Sequence, residues 1–154
     1  MGETAKERNG WRDEGISRRH RLWGVECQAT DIDFLMIEYR CEYKVVSSVA
    51  LIEYKNEHAP FDLEILAYTA IRQVSDCANL PFFLVRYTSD FKTYRVIAMN
   101  AWAKARLAAK ERRMTELEYV TFLYKLRHYD AVPQKVIDAI KALQQPTLFS
   151  ETTS

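Results

Sequence analysis

Residues 30–55 read TDIDFLMIEYRCEYKVVSSVALIEYK, and this stretch decides the fold. Two apolar runs rich in β-branched and aromatic residues, Ile32–Tyr39 and Val49–Lys55, predict β-strands. The first run is apolar without alternation, which predicts a strand that is buried on both faces. The polar segment Arg40–Lys44 between the runs predicts a turn. The two strands are therefore expected to form an antiparallel hairpin.

The segments after the hairpin predict a long helix and two further strands. Pro60 is typical of a helix start, and the helix is expected to continue through residues 61–78. Its apolar residues recur at helical spacing, namely Leu63, Leu66, Ala67, Ala70, Ile71, Val74 and Cys77. The runs FFLVRYT at 82–88 and TYRVIAM at 93–99 predict the third and fourth strands.

The remaining sequence predicts helices. Asn100 is a typical N-cap, and a basic helix is expected to follow it as far as about Arg113. Thr115 and Glu118 have the spacing of a capping box, so another helix is expected to start there. The core side of that helix is predicted to consist of Tyr119, Phe122, Leu123 and Leu126. Pro133 favours the start of a last helix.

This order of elements predicts the fold class α/β (α+β), with a four-stranded mixed sheet flanked by helices. A length of 154 residues favours one domain. We expect that single domain over residues 11–145, between a flexible N-terminus at 1–10 and a flexible tail at 146–154. A short basic helix is expected over residues 13–23.

Composition excludes several classes of protein. No apolar run approaches the roughly 18 residues that a membrane span needs. The polar N-terminus lacks the apolar segment of a secretory signal. The three cysteines are widely spaced, which favours reduced thiols over a disulfide framework. These features predict a cytoplasmic protein with no membrane partner.

Charge is distributed unevenly along the chain. Acidic residues outnumber basic ones in residues 31–62, whereas residues 99–113 and the short segment 18–21 are basic. An acidic centre with basic flanks is typical of a metal site that must approach a polyanion. Solvated helix faces would produce the same charge pattern, so both interpretations stay open.

Acidic and basic side chains stand at the ends of the two apolar runs. Side chains alternate across a strand, so Glu53 and Lys55 share one face, as do Asp31 and Asp33. A buried carboxylate or ammonium group is unfavourable unless it is paired or bound to metal. One explanation is that Glu53 and Lys55 emerge from the core at an exposed strand end. The other is a metal site shared by neighbouring strands.

The runs TDIDFLMIEY and VALIEYK resemble the PD-(D/E)xK nuclease superfamily, which includes restriction endonucleases and archaeal-type Holliday junction resolvases. In that pattern an Asp at the start of one strand is followed by Glu-x-Lys on the next strand, and then by a helix. More narrowly, RRHRLWG, TDIDFLMIEYR, ALIEYK and MTELEYVTFLYKLR resemble a set of small phage- and prophage-encoded proteins. The resemblance covers roughly residues 16–128, and each motif alone is weak.

The resemblance implies a role for each residue of the motif. Asp33 and Glu53 would bind Mg²⁺ or Mn²⁺ through their carboxylates, and the backbone carbonyl of Tyr54 would be a third ligand. Lys55 would position the attacking water. Asp31 departs from the usual single Asp, and it could be the main ligand, a second ligand or a helper.

Residues outside the motif are weaker candidates. Glu14, His20 and Gln73 are possible helpers at the metal site, although a solvent-facing side chain is an equally simple role for each. Phosphate contacts are expected from basic side chains on two segments, namely Arg18, Arg19, Arg21, Lys104, Arg106 and Lys110.

The function that the resemblance implies is divalent-metal-dependent hydrolysis of phosphodiester bonds in DNA, in the cytoplasm of a bacterial or phage-infected cell. The alternative is a nuclease-like module that binds nucleic acid or a protein without cutting, and a scaffold or inhibitor is a third interpretation. Two copies could assemble as a homodimer to cut both strands.

Overall fold

The computed structural model describes residues 15, 18–19, 22–23, 32–40, 42–63 and 65–145. The chain divides into two compact units, residues 1–31 and 32–154. In the first unit, the described positions 15, 18, 19 and 22 are helical, within the helix predicted over residues 13–23. The ends that were predicted to be flexible, 1–10 and 146–154, lie outside the described residues. No helix in the described ranges is long and apolar enough to cross a membrane.

The second unit contains a mixed sheet and its helices. In chain order its elements are β1 Phe34–Arg40, β2 Val45–Asn56, α1 Leu66–Cys77, β3 Phe82–Tyr87, β4 Thr93–Ala98, α2 Ala101–Leu107, β5 Glu111–Thr115, α3 Glu116–Leu126 and α4 Gln134–Gln144. The five strands lie in the order β1-β2-β3-β4-β5. Strands β2 and β3 are parallel, and every other neighbouring pair is antiparallel. The mixed α/β class with flanking helices is therefore confirmed.

The prediction of a four-stranded sheet was wrong, because residues 111–113 at the end of the predicted basic helix belong to a fifth strand, β5. Helix α2 ends at Leu107, and Ala108 adopts a left-handed conformation with φ of 56° that turns the chain back toward the sheet. The amide of Ala98 donates to the carbonyl of Lys110 at 2.9 Å, which starts the β4–β5 ladder. Met114 on β5 is buried in the core. The other four residues of β5 are exposed and polar, so its sequence lacks the alternation of apolar and polar residues that predicts a strand.

The predicted hairpin of β1 and β2 is confirmed, with Phe34 paired to Ile52. The prediction that β1 is buried on both faces was wrong, because Met36 is buried while Leu35 is 50% exposed. The reason is the position of β1 at the edge of the sheet. Within the described residues, side chains pack on only one face of this edge strand.

Two separate cores cover the two faces of the sheet. Helices α2 and α3 cover one face, where the buried side chains are Met36, Ala50, Ile52, Phe83, Val85, Tyr94, Val96, Ala103, Leu107, Met114 and Tyr119. Helix α1 covers the other face, where they are Leu51, Tyr68, Ile71, Phe82, Leu84, Ile97 and Met99. Side chains that alternate along β2 therefore enter different cores.

Helix α1 differs from its prediction in both its start and its buried side. The helix begins at Leu66 rather than at Pro60, and Leu66 itself is 81% exposed. Its buried residues are Tyr68, Ile71 and Ser75. The predicted apolar stripe was wrong because contact with the sheet, and not hydrophobicity alone, determines which side of the helix is buried.

The two C-terminal helices follow the sequence prediction more closely. The capping box of α3 is confirmed, since Glu118 N–H donates to the Thr115 hydroxyl at 3.3 Å and Thr115 N–H donates to the Glu118 carboxylate at 2.7 Å. Tyr119 is buried, and the other predicted core residues of α3 pack against the same cluster. Helix α4 begins at Gln134, directly after Pro133.

Asn100 links the elements that surround the parallel strand β3. It caps α2 as predicted, because its Oδ1 accepts from Ala103 N–H at 2.9 Å. The same oxygen accepts from Phe82 N–H at 3.1 Å, at the start of β3. Its Nδ2 lies within 3.2 Å of acceptors at the end of α1 and in the following turn, on Ser75, Asp76 and Leu80. This side chain is buried and joins α1, β3 and α2.

We expect Asn100→Ala to lower the free energy of unfolding by about 3 kcal/mol, because it leaves buried amide donors without an acceptor. Urea denaturation followed by circular dichroism measures this change. The control is Gln134→Ala on the exposed start of α4, for which a change within about 0.5 kcal/mol is expected. Equal stability of Asn100→Ala and the wild type would contradict the structural role of this side chain.

Candidate metal centre

Asp33, Glu53 and Lys55 lie at the end of the hairpin, on the face of the sheet that α1 covers. Leu35 is paired with Leu51, and Leu51 belongs to the core beneath α1. Continuing this antiparallel register by two residues places Asp33 opposite Glu53. Lys55 follows two residues later on β2 and therefore shares the face of Glu53.

Glu53 is the buried group of this cluster, with only 7% of the residue exposed. Its Oε1 forms an ion pair with Lys55 Nζ at 2.7 Å. Its Oε2 is buried and has no hydrogen-bond partner among the described residues. An unsatisfied buried carboxylate oxygen is unfavourable, so this atom fits a site for a cation.

Asp33 is held beside the strand by the backbone of Tyr54. Tyr54 N–H donates to Asp33 Oδ2 at 3.1 Å, beyond the last paired residue of β1. In a β-strand the N–H and C=O of one residue point to the same side. The carbonyl of Tyr54 therefore points to the side on which Asp33 lies. The carboxylates of Asp33 and Glu53 and this carbonyl form a set of hard oxygen donors, which suits Mg²⁺ or Mn²⁺.

The charges of the cluster act on Lys55. The hydrogen bond with Glu53 raises the pKa of the Lys55 amine, and the nearby groups of Glu53, Tyr68 and Asp33 raise it further, against the lowering effect of burial. The amine is therefore a stable ammonium group at neutral pH. Lys55 therefore contacts Glu53 directly, and the charge of Asp33 also acts on its amine.

The sequence did not predict Tyr68, whose hydroxyl interacts electrostatically with this cluster. It lies in the first turn of α1 and only 3% of the residue is exposed. Burial raises the pKa of the Tyr68 hydroxyl, and the charges of Glu53 and Asp33 raise it further while Lys55 opposes them. A signal was present in the sequence, because Tyr68 and Ile71 lie three residues apart and so share one helix face.

The other predicted site residues either lie outside the described residues or have exposed side chains. Asp31, Glu14, His20 and Arg21 lie outside the described residues. Gln73 is exposed on α1, and Arg18 and Arg19 are exposed in the first unit. Lys104 and Arg106 on α2, and Lys110 after it, are exposed, and α2 packs on the opposite face of the sheet from Glu53.

No group of three or more His, Cys, Asp or Glu side chains that could hold a metal ion occurs among the described residues. The predicted donor set at the hairpin contains only two such side chains, Asp33 and Glu53, together with the backbone carbonyl of Tyr54. Comparisons with protein families, with curated proteins and with solved structures gave no match.

The side chain of Tyr54 anchors the centre from the opposite face of the sheet. Its hydroxyl lies 2.6 Å from the hydroxyl of Tyr119 on α3. The Tyr119 ring stacks on Tyr94 with centroids 4.8 Å apart, and the Tyr54 ring meets Phe34 edge-on at 5.0 Å. Burial raises the pKa of Tyr119, so the Tyr119 hydroxyl is neutral. The backbone of Tyr54, which holds Asp33, is thereby attached to α3.

We expect Glu53→Gln to return the pKa of Lys55 toward its ordinary value of 10.5. A raised folded-state pKa contributes stability below pH 10.5, and this contribution is lost as the pH rises through the folded-state pKa. The variant should therefore lose less stability than the wild type on alkaline titration. NMR of the ¹³Cε and ¹⁵Nζ nuclei of Lys55 measures the pKa, with exposed Lys104 as the internal control. An unchanged Lys55 titration would contradict the ion pair.

We expect Tyr54→Phe and Tyr119→Phe to be coupled, because each single change leaves the other hydroxyl without this partner. Denaturation of both single variants and of the double variant should give a coupling energy of about 1 kcal/mol. Additive effects would show that the two hydroxyl groups do not interact.

Proposed function

We propose that this protein is a divalent-metal-dependent nuclease that hydrolyses phosphodiester bonds in DNA. One observation carries the proposal: the buried carboxylate of Glu53 binds Lys55 through one oxygen, and its other oxygen has no hydrogen-bond partner in the described residues. Asp33 is held next to it by the backbone of the following residue, Tyr54. Carboxylates that can bind a metal, with an ammonium group beside them, are groups that metal-assisted phosphodiester hydrolysis uses.

The residues that would hold the metal are Asp33, Glu53 and the carbonyl of Tyr54. Mg²⁺ and Mn²⁺ prefer such oxygen donors, and a site for Mg²⁺ commonly combines one or two carboxylates with several waters. A bound divalent cation supplies charge stabilisation at the phosphate and lowers the pKa of water. Asp31, which lies beyond the described residues, is kept as a further candidate ligand.

Lys55 and Tyr68 supply the hydrogen-bond donors of the centre. The Lys55 ammonium group is oriented by Glu53 at 2.7 Å, so it can position a water molecule and stabilise negative charge that develops on the phosphate. The Tyr68 hydroxyl stays protonated because burial raises its pKa, and it can donate to the same phosphate. Both groups act from fixed positions on β2 and α1.

The order of the elements supports a restriction-endonuclease-like core. The Asp precedes the first hairpin strand, Glu-x-Lys lies on the second, and helix α1 follows. Helix α1 leads to β3, which is parallel to β2 and borders Glu53 and Lys55. The resemblance implies this sequence of strand, strand and helix around its metal centre, and the proposal extends that likeness to the function.

The test is a cleavage assay with Mg²⁺, with Mn²⁺ and with a chelator, on linear, supercoiled, single-stranded and branched DNA and on RNA. We expect Asp33→Ala, Glu53→Ala and Lys55→Ala each to lower the rate by about 100-fold or more. The chelator should abolish cleavage by the wild type. Matched controls are Glu42→Ala and Lys92→Ala in exposed turns of the same unit, which should cleave like the wild type.

Two results would overturn the proposal. Equal cleavage by the wild type and the three site variants would place the activity elsewhere. Absence of cleavage by the wild type across all substrates, together with DNA binding, would favour the alternative of a non-cutting nucleic-acid-binding module.

A further inference from the structure

Four basic residues stand side by side across four neighbouring strands. Lys55 on β2 is paired with Arg86 on β3, Arg86 with Arg95 on β4, and Arg95 with Arg113 on β5. Directly paired residues project to the same face of a sheet. This basic row, Lys55-Arg86-Arg95-Arg113, therefore lies on the face that carries Glu53 and begins at the candidate metal centre.

The two inner arginines are held in place by the aromatic ring of Phe61. The guanidinium carbon of Arg86 lies 4.5 Å from the ring centroid, and that of Arg95 lies 5.5 Å from it. Arg86 also donates to the carbonyl oxygens of Glu57 and Ala59. These acceptors are neutral, so they orient the guanidinium group without cancelling its charge.

The outer end of the basic row has an excess of positive charge. Arg95 binds Glu111 through two hydrogen bonds, of 2.5 and 2.8 Å. Arg113 is exposed, and its charge reaches Glu111, whose pKa is lowered first by the hydrogen bond from Arg95 and also by Arg113. Glu111 is one acid beside two arginines, Arg95 and Arg113, so it does not neutralise both.

The length of the basic row matches a short stretch of nucleic-acid backbone. Neighbouring strands lie about 4.8 Å apart, so the three steps from Lys55 to Arg113 cover roughly 14 Å. One strand of B-DNA advances about 3.4 Å per phosphate along the helix axis, and consecutive phosphates lie farther apart along the backbone itself, so the basic row has the length of a few nucleotides.

We infer that the basic row is a track for the phosphodiester backbone on one side of the scissile bond, and that Arg113 is its outermost phosphate contact. The inference deepens the proposed function and rests on it, because the track leads away from the same metal centre. It places the nucleic acid on the α1 face of the sheet, whereas Lys104, Arg106 and Lys110 belong to the segment on the opposite face. The track binds phosphates and therefore contributes affinity without sequence preference.

The test compares two neighbouring arginines on β5. Arg113 is paired with Arg95 and Arg112 with Val96, so the two exposed side chains project to opposite faces of the same strand. Binding of a fluorescein-labelled oligonucleotide duplex and single strand is measured by anisotropy in EDTA, between 50 and 200 mM KCl. We expect Arg113→Ala to weaken binding several-fold and to reduce the salt slope by about 1, and Arg112→Ala to leave both unchanged.

Equal effects of Arg112→Ala and Arg113→Ala would overturn the track, and so would a dominant effect of Lys104→Ala. Absence of nucleic-acid binding by the wild type would also overturn it. Thermal melting of each variant checks the fold, and Arg113→Glu should weaken binding more than Arg113→Ala. Binding in EDTA is measured without cleavage. If Arg113→Ala weakens binding by a protein that does not cut nucleic acid, the basic row still binds phosphates and the proposed nuclease activity is rejected.

Discussion

The buried amide of Asn100 is the interaction on which the arrangement of the second unit depends. It joins the end of α1, the first residue of β3 and the first turn of α2. A parallel strand pair needs a crossover connection, here containing α1, and such a connection has no hairpin turn to define its register. The hydrogen bonds of Asn100 hold the start of β3 against α1 and α2 at the end of this connection. The position of β3 beside β2 in turn places Arg86 next to Lys55, and the position of α1 places Tyr68 beside both acids.

The elements that the sequence predicted well are those with local causes. Apolar runs predicted four strands, a local polar segment predicted the hairpin, and the side chains of Asn100 and Thr115 predicted helix starts. The elements that were predicted wrongly are determined by tertiary contacts. Strand β5 is stabilised by pairing with β4 and by burial of Met114, neither of which its charged sequence reveals. The buried side of α1 depends on contact with the sheet, so Leu66 is exposed although it is apolar.

The same division applies to the candidate centre. Strand alternation alone places Glu53 and Lys55 on one face, and the 2.7 Å ion pair agrees with it. Tyr68 was not predicted because the apolar stripe of α1 favoured a different buried side, although Tyr68 shares a helix face with Ile71. The basic row depends on registers between strands that are distant in sequence, and one of those strands had been predicted as a helix. The positions of basic residues in the sequence therefore predicted nucleic-acid contacts on α2. The strand registers instead place the basic row on the face that carries Glu53.

The hydroxyl contact between Tyr54 and Tyr119 has an evolutionary consequence. A position that offers only its backbone carbonyl to a metal is free to accept many side chains during divergence. Here the side chain of Tyr54 has its own partner on α3, 2.6 Å away across the sheet. Substitution of Tyr54 is thereby linked to Tyr119, which lies 65 positions later in the chain. A substitution at one of the two tyrosines is therefore expected to favour a compensating substitution at the other.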